Sequence, residues 1–141
     1  MKIYFAADHA GFEMKEKLLS HVKGLGYEVE DCGAYEFDQA DDYPDFVKKA
    51  AQKVSENPES TRAIIIGASG QGEAMVANRF PHVRAALYYG PGGRQKDSDG
   101  KELTMTASTR KHNDANVLAL AARFLPYEEA EAAVEEWLKE P

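Results

Sequence analysis

The chain has 141 residues, 43% of them hydrophobic and 29% charged, with a formal net charge of -7. That length suits a single domain over residues 1–141 with a real core, and the negative charge excludes a phosphate-backbone binder that would need clustered cations. One cysteine, Cys32, excludes an internal disulfide and a Cys-x-x-Cys metal site, which fits a reduced, cytoplasmic setting. No apolar run reaches the length of a membrane span, and the N-terminal stretch turns polar too early for a signal peptide, so no membrane partner is expected.

Residues 2–7 (KIYFAA) are apolar and end at Asp8-His9-Ala10-Gly11, the pattern of a buried strand and a loop. Met14, Leu18, Val22 and Leu25 then recur at helical spacing, with Gly24 and Gly26 as the stop. Tyr27 to Cys32 reads as a second strand closed by Gly33. The acidic stretch with Asp38, Asp41 and Asp42 reads as a solvated loop whose last member is placed to cap a helix. Pro44 opens that helix, and Phe46, Val47, Ala50, Ala51 and Val54 form its apolar stripe.

Residues 63–66 (AIII) predict a third buried strand. The GASGQG loop (67–72) comes next and leads into a helix over about 73–79. Val83 to Tyr88 predicts a fourth strand, and the glycine-rich, charged segment 88–101 an exposed loop. A helix over about 102–111, a fifth strand over 116–121 and a last helix opened by Pro126 complete the chain. That last helix has Glu128 and Glu129 in its first turn, Lys139 in its last, and Tyr127, Ala130, Val134 and Leu138 on its inner face. Strands alternating with helices imply parallel pairing and right-handed crossovers. The expected fold is therefore α/β, a three-layer α/β/α Rossmann-like sandwich with a five-stranded parallel sheet. Ligands in such sheets bind beyond the carboxyl ends of the strands, where Asp8-His9, the 67–72 loop and the 112–116 segment are expected to meet.

Among these residues, a strand followed by Gly67, Gly70 and Gly72 builds a turn whose amides can cradle an anion, although the same glycines also suit a plain tight turn. It is neither a Walker A motif nor GxGxxG. Glu73, next in the chain, is a helix-start carboxylate or a general base beside oxyanion donors, the pairing that proton abstraction alpha to a carbonyl requires. His9 and His112 are titratable groups at element ends, candidates for caps or for catalysis. Asp8 can cap the first helix, and Tyr43 can be packing. No histidine pair has metal-ligand spacing, so no metal is expected.

The segments DHAGFEMK (8–15), DYPDF (42–46), GASGQGEAMVANR (67–79), VRAAL (83–87) and HNDANVLAL (112–120) together resemble the ribose-5-phosphate isomerase B family, which also includes galactose-6-phosphate and allose-6-phosphate isomerases. In many members a cysteine directly after the third strand is the catalytic base. Here that position is Gly67, and the sequence resembles the subgroup in which a glutamate, here Glu73, takes over.

The resemblance implies aldose–ketose isomerisation of a sugar phosphate, first of all ribose 5-phosphate, without a cofactor. It also implies a homodimer, or a dimer of dimers, with sites near the interface. His112 would assist ring opening, and Glu73 would move the proton between C2 and C1 of a cis-enediolate. Ser69 and the amides around Gly70, Gln71 and Gly72 would stabilise the oxyanion. Asp8, Tyr43 and Asn113 would hold the sugar, and His9 and Arg123 the phosphate. Family members usually carry arginines beyond the last helix that clamp phosphate in a neighbouring subunit, whereas this sequence stops at EEWLKEP. Arg94 and Lys96 in the long 88–101 segment are expected to supply replacement cations, in their own or a neighbour's site. The alternatives are isomerisation of a four- or six-carbon sugar phosphate and a non-catalytic sugar-phosphate or nucleotide binder on the same kind of sheet.

Overall fold

Alternation along the strands sorts the side chains of the sheet onto two faces, and the helices cover both. The computed structural model describes residues 1–141. In chain order the main elements are β1 (Lys2–Ala7), α1 (Phe12–Gly24), β2 (Glu28–Asp31), α2 (Pro44–Glu56), β3 (Thr61–Gly67), α3 (Gln71–Ala77) and β4 (Ala85–Tyr88). A small hairpin of β5 (Gln95–Lys96) and β6 (Glu102–Leu103) comes next, then α4 (Met105–Lys111), β7 (Val117–Ala121) and α5 (Tyr127–Lys139). The five long strands form one parallel sheet in the order β2-β1-β3-β7-β4.

Ile3, Phe5, Ile64, Ile66, Leu118 and Leu120 pack on one face against Leu18 and Val22 of α1 and Val134 and Trp137 of α5. Tyr4, Ala6, Ala63, Ile65, Val117 and Ala119 pack on the other against Val47, Ala50, Ala51 and Val54 of α2 and Ala77 of α3. The period-2 alternation of each strand thus feeds two separate cores, as a sheet covered on both faces requires. From β1 the chain crosses by α1 to β2 on one side, then returns by α2 to β3 on the other. The crevice between the carboxyl ends of β1 and β3 is therefore the topological switch point, where such sheets take their ligands.

Several expectations shift locally. Leu25, expected on the inner stripe of α1, is exposed, because the helix ends at Gly24 and the chain turns away at Gly26 (φ +99°). The stretch 88–101 is not a bare loop: Gln95 and Lys96 pair antiparallel with Leu103 and Glu102. Asp97 organises the turn between them, its Oδ1 accepting from the amides of Asp99 and Lys101, while Lys111 of α4 donates to its Oδ2. For the same reason α4 starts later than expected. Thr104 is its N-cap, accepting from the amide of Ala107 at 3.1 Å.

One fully buried charge braces the switch point. Lys15 of α1 is 0% exposed. Its Nζ donates to both carboxylate oxygens of Asp31 at 2.8 and 2.7 Å and to the carbonyl of Ala34 at 2.6 Å. The segment it grips runs beside the end of β1, where Ala34 donates to the Ala7 carbonyl and Ala7 to that of Gly33. Removing one member of such a buried, hydrogen-bonded pair typically costs about 3–5 kcal/mol.

Candidate functional site

Strand register brings three chain segments side by side. Ala7 pairs with Ile66, and Gly67 with Ala121, so Asp8, the 67–72 turn and Arg123 emerge together at the carboxyl edge. The amides of Ala122 and Arg123 donate to the carbonyls of Gly67 and Ala68, which ties the β3 and β7 exits to each other. Gly70 turns the chain into α3 with φ +75°, and its missing side chain leaves room for Leu87, whose Cδ1 would lie 2.6 Å from a Cβ there.

Glu73 lies in the first turn of α3 and is only 4% exposed. Its carboxylate folds back over Gly67, where a Cβ would stand 1.7 Å from Oε1. The carboxylate occupies the space a side chain at 67 would take, so glycine there is what allows Glu73 to hold this position. Burial pushes the Glu73 carboxyl above its ordinary range. A hydrogen bond from its own amide opposes that rise, and the negative charge of Asp8 adds to it. The Tyr43 hydroxyl comes close enough to Gly72 that a Cβ there would be 2.5 Å away. Ser69 Oγ accepts from the Gln71 amide at 3.3 Å, and Asp8 Oδ1 accepts from Ala10 at 3.0 Å. Asp8 therefore shapes a turn and does not cap α1, whose N-cap is Gly11.

His9 comes directly after Asp8 and lines a cavity of about 390 Å³ with Ala10, Glu13, Phe37, Gln39 and Arg123. His9 and Arg123, expected on the phosphate, thus do share one hollow. Behind the ring stands Asp41, whose Oδ1 lies 2.8 Å from His9 Nδ1 and also accepts from the His9 amide at 2.9 Å. The expected solvated acidic loop is corrected here: the Asp41 side chain is 8% exposed, and Asp42 does not cap α2, whose N-cap is Tyr43. No local pattern marks Asp41; its partner is 32 residues away.

One further placement is a correction. The 112–116 segment was expected at the carboxyl edge, but it leads into β7 and so lies at the amino edge. There Asn116 donates to the Arg84 carbonyl and accepts from Ala63. A five-residue strand spans about 16 Å, so His112 and Asn113 are separated from Glu73 within one chain by the length of β7. Both are exposed, yet their loop is braced. Arg84 donates to the carbonyl and carboxylate of Asp114, and Arg110 to the same carboxylate and to the Ala115 carbonyl. Arg94 and Lys96 likewise do not reach the His9–Arg123 cavity of their own chain. The hairpin folds against α4 and α5, where Arg94 pairs with Glu102 at 3.1 Å beside Glu136 and Glu140, and Lys96 is exposed.

Two groups of side chains offer three potential metal ligands each: Asp8, His9 and Asp41, and on the α1–α5 surface His21, Glu131 and Glu135. In both, an imidazole nitrogen already faces a carboxylate at hydrogen-bond distance. Burial pushes the Cys32 thiol up to about 11, so the one cysteine stays protonated and is no substitute for a base. No helix is long and apolar enough to cross a membrane.

A buried carboxylate over a glycine turn, at the switch point of a parallel sheet and beside a histidine–arginine hollow, describes an acid–base site for a small anionic ligand. The Ribose/Galactose Isomerase family model matches residues 3–141, and the chain belongs to that family. Ribose-5-phosphate isomerase B of Mycobacterium tuberculosis is 36% identical over 141 residues, all of this chain and 79% of that protein. A probable ribose-5-phosphate isomerase B of Mycoplasma pneumoniae is 38% identical over 137 residues, 97% of this chain and 82% of that one. The crystal structure of ribose-5-phosphate isomerase B from Mycoplasma genitalium with bound ribulose 5-phosphate superposes with a TM-score of 0.87 at 35% identity, covering 98% of this chain and 83% of the other.

Proposed function

We propose that this protein interconverts ribose 5-phosphate and ribulose 5-phosphate through a cis-enediolate, with Glu73 as the base. The observation that carries this reading is the Glu73 carboxylate, buried over Gly67 with its proton affinity raised by its surroundings. A carboxylate so tuned can take a proton from carbon near neutral pH and give it back. In the open-chain aldose, Glu73 removes the C2 proton and the electron pair forms the C1=C2 double bond, placing negative charge on O1. Transfer of the O2 proton to O1 and return of the Glu73 proton to C1 then yield the C2 ketone, with the carboxylate restored. Ser69 and the amides of the glycine turn stabilise the oxyanion, while Asp8 and Tyr43 hold the hydroxyls. His9 and Arg123 take the phosphate. A positioned base and the oxyanion donors each contribute on the order of 10²-fold or more.

His112 would protonate the ring oxygen to open the furanose, and Asn113 would bind beside it. Within one chain they stand at the wrong edge of the sheet, on a loop that is exposed and yet clamped by two arginines. That combination suits residues presented to a second copy of the chain, and the site is completed by a homodimer. Exposed Met75, Tyr89 and Met105, with Leu87 between them, give the β4 edge beside α3 an apolar surface for such a contact.

The test is a coupled isomerase assay on four-, five- and six-carbon sugar phosphates, with Glu73→Gln and His112→Ala assayed alone and after co-refolding. Ribose 5-phosphate should be the preferred substrate, and Glu73→Gln should lower kcat on the order of 10³-fold. Mixed in equal amounts and co-refolded, the two variants should regain about a quarter of wild-type activity, because about half of the twofold dimers are mixed and half of the sites in those carry both intact residues. Absence of activity on every sugar phosphate would overturn the reading, and absence of complementation would overturn the shared site.

A further inference from the structure

Asp41 takes no part in the proton transfer described above, yet its carboxylate is held out of water behind His9. One oxygen, Oδ1, accepts from the His9 amide and faces the His9 ring. The other, Oδ2, is buried and has no partner. A buried carboxylate with an unbonded oxygen is costly to keep. A neutral amide could accept the same two hydrogen bonds but would leave its N–H donors without partners, and only the carboxylate sets a negative charge beside the His9 ring.

An ionised carboxylate can only accept, so the ring nitrogen facing it, Nδ1, must carry a proton. That leaves Nε2 as the one ring nitrogen free to gain or lose a proton. The other ionisable groups around His9 are Asp8, its chain neighbour, Glu13 from α1 and Arg123 from the exit of β7. The oxygens of a phosphate dianion are acceptors only, so Nε2 can bind one only as a donor, and the ring must then be an imidazolium.

We propose that Asp41 is a positioning residue for the phosphate: it fixes His9 with Nδ1 protonated and turned inward, and its charge balances the imidazolium whose Nε2–H grips a phosphoryl oxygen. This rests on the assignment of the phosphate to His9 and Arg123. Asp41 would then act on phosphate affinity and hardly on the chemical step. It resembles the carboxylate that orients a histidine in a hydrolase triad, but here it serves binding.

The first measurement uses the unaltered protein. Nitrogen-15 NMR of the His9 ring should show Nδ1 protonated with and without inorganic phosphate, and Nε2 protonated when phosphate saturates the site. An unprotonated Nδ1, or an Nε2 that stays unprotonated when phosphate saturates the site, overturns the proposal. The second compares Asp41→Asn with His9→Gln. Asp41→Asn keeps the accepting oxygen and removes the charge. It should raise KM for ribose 5-phosphate, and the inhibition constant of inorganic phosphate, about tenfold, with kcat falling less than about twofold. Phosphate affinity lost in His9→Gln but kept in Asp41→Asn overturns the role of Asp41 and leaves the phosphate assignment standing. Affinity kept in both variants overturns the assignment and the proposal together. A fall in kcat with KM untouched also overturns it, since that marks a role in the chemistry or in the fold.

Discussion

The two ends of the sheet carry chemistry in opposite ways. At the carboxyl edge, Glu73, Asp8 and Asp41 are packed into the protein, and the charge of Asp8 adds to the rise that burial causes in the proton affinity of Glu73. At the amino edge, His112 and Asn113 stand in solvent, and the structure built around them is the loop itself, with Arg84 and Arg110 both gripping Asp114. One edge adjusts proton affinity by burial, and the other achieves position without burial. Under the proposed reading, a group that exchanges protons with carbon benefits from a dry, charged surrounding, whereas a group presented to a second copy of the chain stays outside and stiff.

Gly67→Ala is the strongest way to break this contrast. The added methyl would take the place of the Glu73 carboxylate and drive it from its seat, so kcat should fall on the order of 10²-fold, with folding retained by circular dichroism. A kcat near wild type would mean that the carboxylate works from elsewhere. Asp114→Ala tests the other edge. It removes the carboxylate that both arginines grip, leaving only their bonds to backbone carbonyls, and should loosen His112, lowering kcat/KM about tenfold with little change in the acid limb of the pH profile. A wild-type value would show that the brace is dispensable.

The smallest effect should come from Asp8→Asn. The negative charge of Asp8 raises the proton affinity of Glu73, so removing it should move the acid limb of kcat to lower pH. Burial, the larger cause, remains, so the limb should stay above the position of a free glutamate. A limb that moves upward, or does not move, would remove Asp8 from the tuning of the base.

Much of the carboxyl edge is legible in the chain. The apolar runs 2–7 and 63–66 are strands because nothing polar interrupts them, and each ends in residues that only a turn would use. Glu73 can be singled out because it comes directly after a glycine turn. The hidden part depends on distant partners. Asp41 looks like one more acid in an acidic stretch until His9, 32 residues earlier, folds against it. Lys15 looks like a surface lysine on a polar stretch of helix until Asp31 and the Ala34 carbonyl close over it. The position of His112 is a matter of chain direction: a segment leading into a parallel strand lies at one edge of the sheet, and the segment leaving that strand lies at the other. The length of the 88–101 segment is plain in the sequence, but its hairpin depends on Asp97 meeting Lys111 of α4.

The missing side chain at Gly67 has a consequence for how such a site can vary. The strand end and the first turn of α3 compete for one small volume, so a reactive group can be delivered from the strand or from the helix, but not from both. A cysteine placed at 67 would have to evict the glutamate at 73, and a shorter residue at 73 would leave a hole at 67. The two positions are therefore coupled, and with Glu73 as the proposed base, changing the kind of base on this scaffold should take two substitutions made together, each single step lowering activity.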